Sequence, residues 1–145
     1  ICRQVGGMPL AVLLAAGWVD TLTVAEIAGE IGESLDFLET DLTDVPARHR
    51  SMRGAFDHSW RMLSSSDRDV LSNLSVFRGC FTRQAAQSVA GASLRQLKGL
   101  VNRSLIQHRA GGWYELHELL RQYAEEVLAA EPSGAEATRD RHSAY

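Results

Sequence analysis

Two glycines, Gly111 and Gly112, stand between the only two strand-like runs of the chain, Ser104 to Arg109 and Trp113 to Leu116. The flanking pattern and the turn Ala110-Gly111-Gly112 predict a β-hairpin whose backbone needs the freedom of glycine. The rest of the pattern is helical, so the place of this one hairpin among the helices constrains the fold more than any other feature. Before it, Ser64-Ser65-Ser66 followed by Asp67 supplies both the hydroxyl cap and the first-turn acid of a helix start, leading into Val70, Leu71 and Leu74. Thr82 is placed to cap a short helix carrying Ala85, Ala86 and Val89, and Ser93 another carrying Leu94, Leu97, Leu100 and Val101. After the hairpin, Glu118 to about Ala130 carries Leu119, Leu120, Tyr123, Ala124, Val127 and Leu128 in one broad stripe, broken by Pro132-Ser133-Gly134.

Three helices, a two-stranded wing and a following helix predict a winged-helix domain over residues 64–130. Upstream, Gly6-Gly7 form a turn and Pro9 opens a helix through Leu10, Val12, Leu13 and Leu14. Thr23-Val24-Ala25-Glu26 has the spacing of a capping box and predicts a helix to about Leu42, loosened at Gly29 and Gly32. Pro46 ends any helix before it, and Met52, Ala55, Phe56, Trp60 and Leu63 then recur at helical period. The expected class is mainly α: a small helical bundle over 1–63, then the winged-helix domain with one short β-hairpin, then the first turns of a further helical region over 131–145. A chain of 145 residues is long enough for one domain or two small ones.

Several functions are excluded at this stage. The longest apolar stretch, Pro9 to Ala16, falls short of the ~18 to 20 residues that span a bilayer. Cys2 and Cys80 are far apart with no partner ligands, which argues against a disulfide scaffold or zinc site and for a reducing, cytoplasmic setting. The chain begins at Ile1 without a charged leader and is expected to be an excised fragment lacking a targeting signal. The five histidines do not fall at metal spacing, Gly6-Gly7 is followed by Met8-Pro9 rather than by the lysine and hydroxyl of a phosphate loop, and no serine sits on a nucleophile elbow. No catalytic or metal-binding residue is expected, and the chain by itself is not expected to be an enzyme.

Charge gives a further expectation. Residues 1–65 hold nine acidic and five basic side chains, residues 66–130 six acidic and eight basic, and the whole chain has a net charge of -3. Gripping a phosphate backbone requires a clustered cationic surface, so this balance predicts that DNA is not a partner. The helix after Ser93 carries Arg95 and Lys98, with Arg103 just beyond; these would form the recognition surface in a DNA-binding winged helix but are read as a solvated face. Trp60, Phe77, Phe81 and Trp113 are read as core rather than as a stacking platform, because their neighbours are apolar. His117 sits where a strand ends and a helix starts, beside free helix amides that favour an anion; a packing or capping histidine is the blander alternative.

Several segments carry a family resemblance. Val5-Gly6-Gly7-Met8-Pro9-Leu10-Ala11 resembles the "GLPLA" segment of the NB-ARC group of signal-transduction ATPases with numerous domains (STAND ATPases). Arg50 to Trp60 and Leu74 to Phe81 are similar to the next landmarks of bacterial members, large ATP-binding transcriptional regulators of the LuxR or SARP type. Tyr114 to Ala124, with His117-Glu118 inside it, resembles the "MHD" segment of the winged-helix domain of these proteins. Glu118 and Cys80 depart from the usual aspartate and glycine.

The resemblance implies a non-catalytic part of a nucleotide-dependent switch, with an ATPase core and its magnesium-binding acid upstream and a tetratricopeptide-like sensor downstream as partners. It implies that Gly7, Met8, Pro9 and His117 bind nucleotide, with Pro9 packed on the adenine and His117 near the β-phosphate of ADP, holding a closed state that ATP releases to allow self-association. The alternatives are a DNA-binding winged helix using Arg95, Lys98 and Arg103, or a scaffold whose wing, at Trp113, meets a protein partner.

Overall fold

The computed structural model describes residues 1–41 and 44–145, which form two compact units, Ile1–Met62 and Leu63–Tyr145.

In the first unit, α1 (Pro9–Ala16) starts at its proline, directly after Gly6 and Gly7, which turn the chain at φ of 57° and 69°. The α2 helix (Val24–Glu33) is capped as its sequence predicts: Thr23 Oγ1 accepts the Glu26 amide, and the Glu26 carboxylate accepts from the Thr23 amide and hydroxyl. Those donors hold the Glu26 carboxyl below the usual carboxylate range. The α2 helix ends at Glu33, short of the expected boundary, because Ser34 adopts an extended conformation and its hydroxyl caps the 3₁₀ turn Leu35–Phe37. The expected endpoint, Leu42, is outside the described residues. The α3 helix (Met52–Arg61) is capped by Ser51 and buries Met52 and Phe56. Val5, Ala11, Leu14, Ile27, Ile31 and Leu38 complete this small core, and Trp18 stacks on Phe37 with ring centroids 4.9 Å apart.

The second unit runs α4 (Ser65–Leu74), β1 (Cys80–Thr82), α5 (Arg83–Ala90), α6 (Leu94–Asn102), β2 (Ile106–Arg109), β3 (Trp113–Leu116), α7 (Glu118–Ala129) and α8 (Pro132–Ala144). The hydroxyls of Ser64, Thr82 and Ser93 accept the amides of Asp67, Ala85 and Gln96, so all three expected caps form. The sheet has a strand beyond the expected hairpin: β1 pairs antiparallel with β3, Phe81 opposite Tyr114, giving the order β1-β3-β2. A three-residue strand is too short to show alternation, and β1 becomes visible only through pairing with residues far along the chain. At the hairpin turn Gly111 and Gly112 both have positive φ, 78° and 80°. Leu71, Leu74, Phe81, Leu97, Leu100, Ile106 and Leu119 form the core between helices and sheet, with Phe77 stacked on Phe81 at 4.9 Å. Trp113 departs from its expected burial: it starts β3 between Thr82 and Arg109 with 45% of its surface exposed, since Leu116, three residues on, is the β3 side chain turned into the core.

Candidate DNA-facing surface

The second and third helices of the unit are joined by a short turn. Gly91 closes α5 in the left-handed region at φ 67°, Ala92 is buried, and Ser93 starts α6. A capping box ties Ser93 to Gln96, and the Gln96 amide reaches on to Ser66 Oγ at 3.0 Å, fastening the start of α6 to the start of α4. Leu97 and Leu100 anchor the inner face of α6. The outer face then carries Arg95, Lys98 and Asn102, all exposed and spaced three and four residues apart, which puts them on one side of the helix. Arg103, also exposed, follows at the C-cap, and its Nη1 donates to the Gly99 carbonyl at 3.4 Å.

The hairpin adds a second element. Gln107, His108 and Arg109 of β2 are exposed, and His108 packs edge-on against Tyr114 of β3 at 5.0 Å. Arg109 pairs with Glu115 at 2.7 Å. Between Asp69 and Glu115 the sequence contains no carboxylate at all, while it holds Arg78, Arg83, Arg95, Lys98, Arg103 and Arg109. This run spans β1, α5, the turn, α6 and most of the hairpin. The acids of the unit are concentrated instead on α7 and α8. There Arg121, only 4% exposed, donates to both Glu118 oxygens at 2.8 Å and to Glu125 at 2.7 Å, and also reaches the Ser75 carbonyl at 3.4 Å. The guanidinium holds the Glu118 carboxyl below the usual carboxylate range, and the two carboxylates, Glu118 foremost, hold Arg121 firmly in its charged form.

The other residues singled out by sequence belong to other elements. Gly7, Met8 and Pro9 belong to the first unit, with Met8 at the N-cap of α1 and Pro9 exposed at its first position. His117 belongs to the second unit, at the N-cap of α7, where its Nδ1 accepts the Leu119 amide at 3.2 Å. The imidazole therefore satisfies one of the helix-start amides itself. Asn102 and Arg83 were not among the expected surface residues. The signal that finds them is the unbroken carboxylate-free run, together with the repeat of Arg95 and Lys98 one turn further on.

Residues 63–129 match the winged helix-turn-helix domain family. This part of the chain has the winged-helix fold that its helices and three-stranded sheet describe. Over its full length the chain is 31% identical to a Mycobacterium tuberculosis protein provisionally named an HTH-type transcriptional regulator, and the same identity holds for its Mycobacterium bovis counterpart. The chain spans 17% of the length of these relatives. An uncharacterized M. tuberculosis protein is 30% identical over 89% of this chain and 36% of its own length. Among solved structures, a STAND protein with a tetratricopeptide repeat sensor from Pyrococcus horikoshii aligns with 81% of this chain and 18% of its own, at 22% identity and a TM-score of 0.47. The family match and the regulator relatives overturn the expectation that DNA is not a partner. The physical reason is that a net charge of -3 sums over surfaces that face different ways, whereas binding responds to the one that meets the phosphates. Among the described residues no helix is long and apolar enough to cross a membrane, and no group of three or more His, Cys, Asp or Glu side chains is placed to hold a metal ion.

Proposed function

We propose that the second unit binds duplex DNA, with the outer face of α6 directed into the major groove and the β2–β3 hairpin lying along the backbone. The observation that carries this reading is the coincidence of position with charge. The elements a helix-turn-helix presents to DNA all lie in the stretch that holds six cations and no carboxylate before Glu115. Arg95 and Asn102 have the chemistry to pair with the base edges of guanine and adenine. Lys98, Arg83 and Arg103 suit phosphate contacts, which set register and supply most of the affinity. Regulation of transcription in the cytoplasm is the corresponding role for a longer protein of the regulator type.

The test is binding of the chain to duplex DNA over a series of salt concentrations. Affinity should fall steeply as salt rises, and the double variant Arg95→Ala/Lys98→Ala should bind about 10- to 100-fold more weakly, with a log-log salt slope shallower by up to about 2. A chain that leaves duplex DNA unbound at low salt sinks this reading.

One observation favours a second reading, that of a part in an ADP/ATP switch: His117 occupies the start of the 12-residue helix α7, where a phosphate is favoured. In that reading Gly7, Met8 and Pro9 contribute to nucleotide binding with Pro9 packed on the adenine, and magnesium is held by residues outside this chain. The fit is partial, since a phosphate arriving at α7 competes with the imidazole for the Leu119 amide. The amount of ADP that co-purifies with a longer protein containing this chain decides it: His117→Ala lowers that amount if the histidine is a nucleotide contact and leaves it unchanged if the histidine is a cap.

A further inference from the structure

The α8 helix lies beyond the matched segment 63–129, yet it packs against α5 and α7. A helix leaves its last carbonyls without partners. At the end of α5 the amides of Gly91 and Ala92 return to Gln87 and Ala86, and the Val89 carbonyl receives Arg141 Nε from α8 at 2.8 Å. That contact falls two residues before Gly91, where the chain enters the turn to α6. A guanidinium at a helix C-terminus is favoured further by the helix dipole. Arg141 Nη2 also donates to Thr138 Oγ1 at 2.8 Å. Thr138 is 1% exposed, and its hydroxyl lies 2.8 Å from Asn73 Oδ1 of α4 and 2.9 Å from the Gly134 carbonyl. A polar relay thus runs from α4 through α8 to the carbonyl end of α5.

Apolar burial cannot do this work. Among the described side chains of α8 only Ala135 is apolar and buried, and an alanine removes little surface from water. The ring of His142 also lies edge-on to Phe77 at 5.1 Å. Directional polar contacts therefore decide where α8 sits.

We propose that Arg141, seated by Thr138, is a positioning residue: by filling the open carbonyl end of α5 it holds the Gly91–Ser93 turn, and through that turn the outer face of α6. Its consequence for DNA rests on the binding reading above; its consequence for the turn does not. The test uses the whole chain carrying Arg141→Ala or Arg141→Lys, with two readouts. Amide hydrogen exchange at Gly91 and Ala92 should speed up about 5-fold or more in Arg141→Ala while the α7 amides keep their wild-type rates, and Arg141→Lys should recover part of the protection. Duplex affinity should fall about 5- to 10-fold with the salt slope of the wild type, because a positioning residue neutralises no phosphate. A slope shallower by about one would overturn the proposal by making Arg141 a phosphate contact, and unchanged exchange at Gly91 and Ala92 would overturn it whether or not DNA binds. Faster exchange in a chain whose wild type binds no duplex would sink the DNA reading alone and leave the clamp on the turn standing.

Discussion

The stretch from β1 through the hairpin and the stretch made by α7 and α8 belong to one unit and one core, yet they treat charge in opposite ways. The first holds its cations on an exposed surface without a carboxylate before Glu115, and among the described residues only Arg78 and Arg109 of this run have ion-pair partners, each an acid from outside the run. The second surrounds a buried arginine with carboxylates: Arg121 is held by Glu118 and Glu125 and bonded to the end of α4. Unpaired surface cations add little to stability and are available to a polyanion, whereas a buried, doubly paired guanidinium is committed to the fold. The same residue type thus serves recognition on one surface and architecture on the other, and counting arginines does not separate the two.

The harshest way to break the comparison is to collapse the core that keeps the two surfaces apart. Phe81, 1% exposed and stacked between Phe77 and Tyr114, should cost about 3 to 5 kcal/mol on Phe81→Ala, read as a lowered midpoint in chemical denaturation with duplex binding lost alongside. Next, Arg121→Ala should destabilise the second unit by about 2 kcal/mol, since it removes charge-assisted bonds together with a buried stem, while the salt slope of DNA binding stays where it was. A change in slope would place Arg121 on the wrong side of the comparison.

A paired charge reversal sharpens the contrast. Lys98→Glu and Glu136→Lys change the net charge by the same amount in opposite directions, on α6 and on α8. Duplex affinity should drop more than about 10-fold for Lys98→Glu and shift less than about 3-fold for Glu136→Lys. Equal and opposite effects would return the explanation to net charge. The smallest expected effect is that of acid. The Glu118 carboxyl titrates lower in the folded chain than in the unfolded one, so its contribution is complete above the ordinary carboxylate value of 4.5 and is lost as pH falls through the lower folded value. Glu118→Gln should remove that acid-dependent part, worth less than about 1 kcal/mol for a half-exposed group, in denaturation compared at pH 7 and pH 3.5.

Much of the local structure was legible in the residues. Ser64, Thr82, Ser93 and the Thr23–Glu26 pair announce helix starts because a hydroxyl followed by a free amide satisfies itself within one turn. Gly111 and Gly112 announce the hairpin because few other residues tolerate their backbone angles. The early end of α2 was less legible, since Ser34 keeps its amide on the Glu30 carbonyl while its hydroxyl caps the turn that follows, and the sequence allows the helix to continue or to stop there. For the candidate surface, Arg95, Lys98 and Arg103 stand out in the pattern, but their weight was lost in a total that averages acids from other surfaces.

The sequence by itself determined the order of elements, the caps that start them, the turn glycines and the carboxylate-free run, all of which depend on residues within a few positions or on simple succession. Only the tertiary structure decided that β1 is a strand, that the face of α6 carrying Arg95, Lys98 and Asn102 is left exposed, that Arg121 is buried, and that Arg141 closes the end of α5. The pairing of β1 with β3, the reach of Arg121 to the Ser75 carbonyl and that of Arg141 to Val89 depend on partners brought from far along the chain by packing, and a side chain's role as contact, brace or clamp is set by that company rather than by its own chemistry.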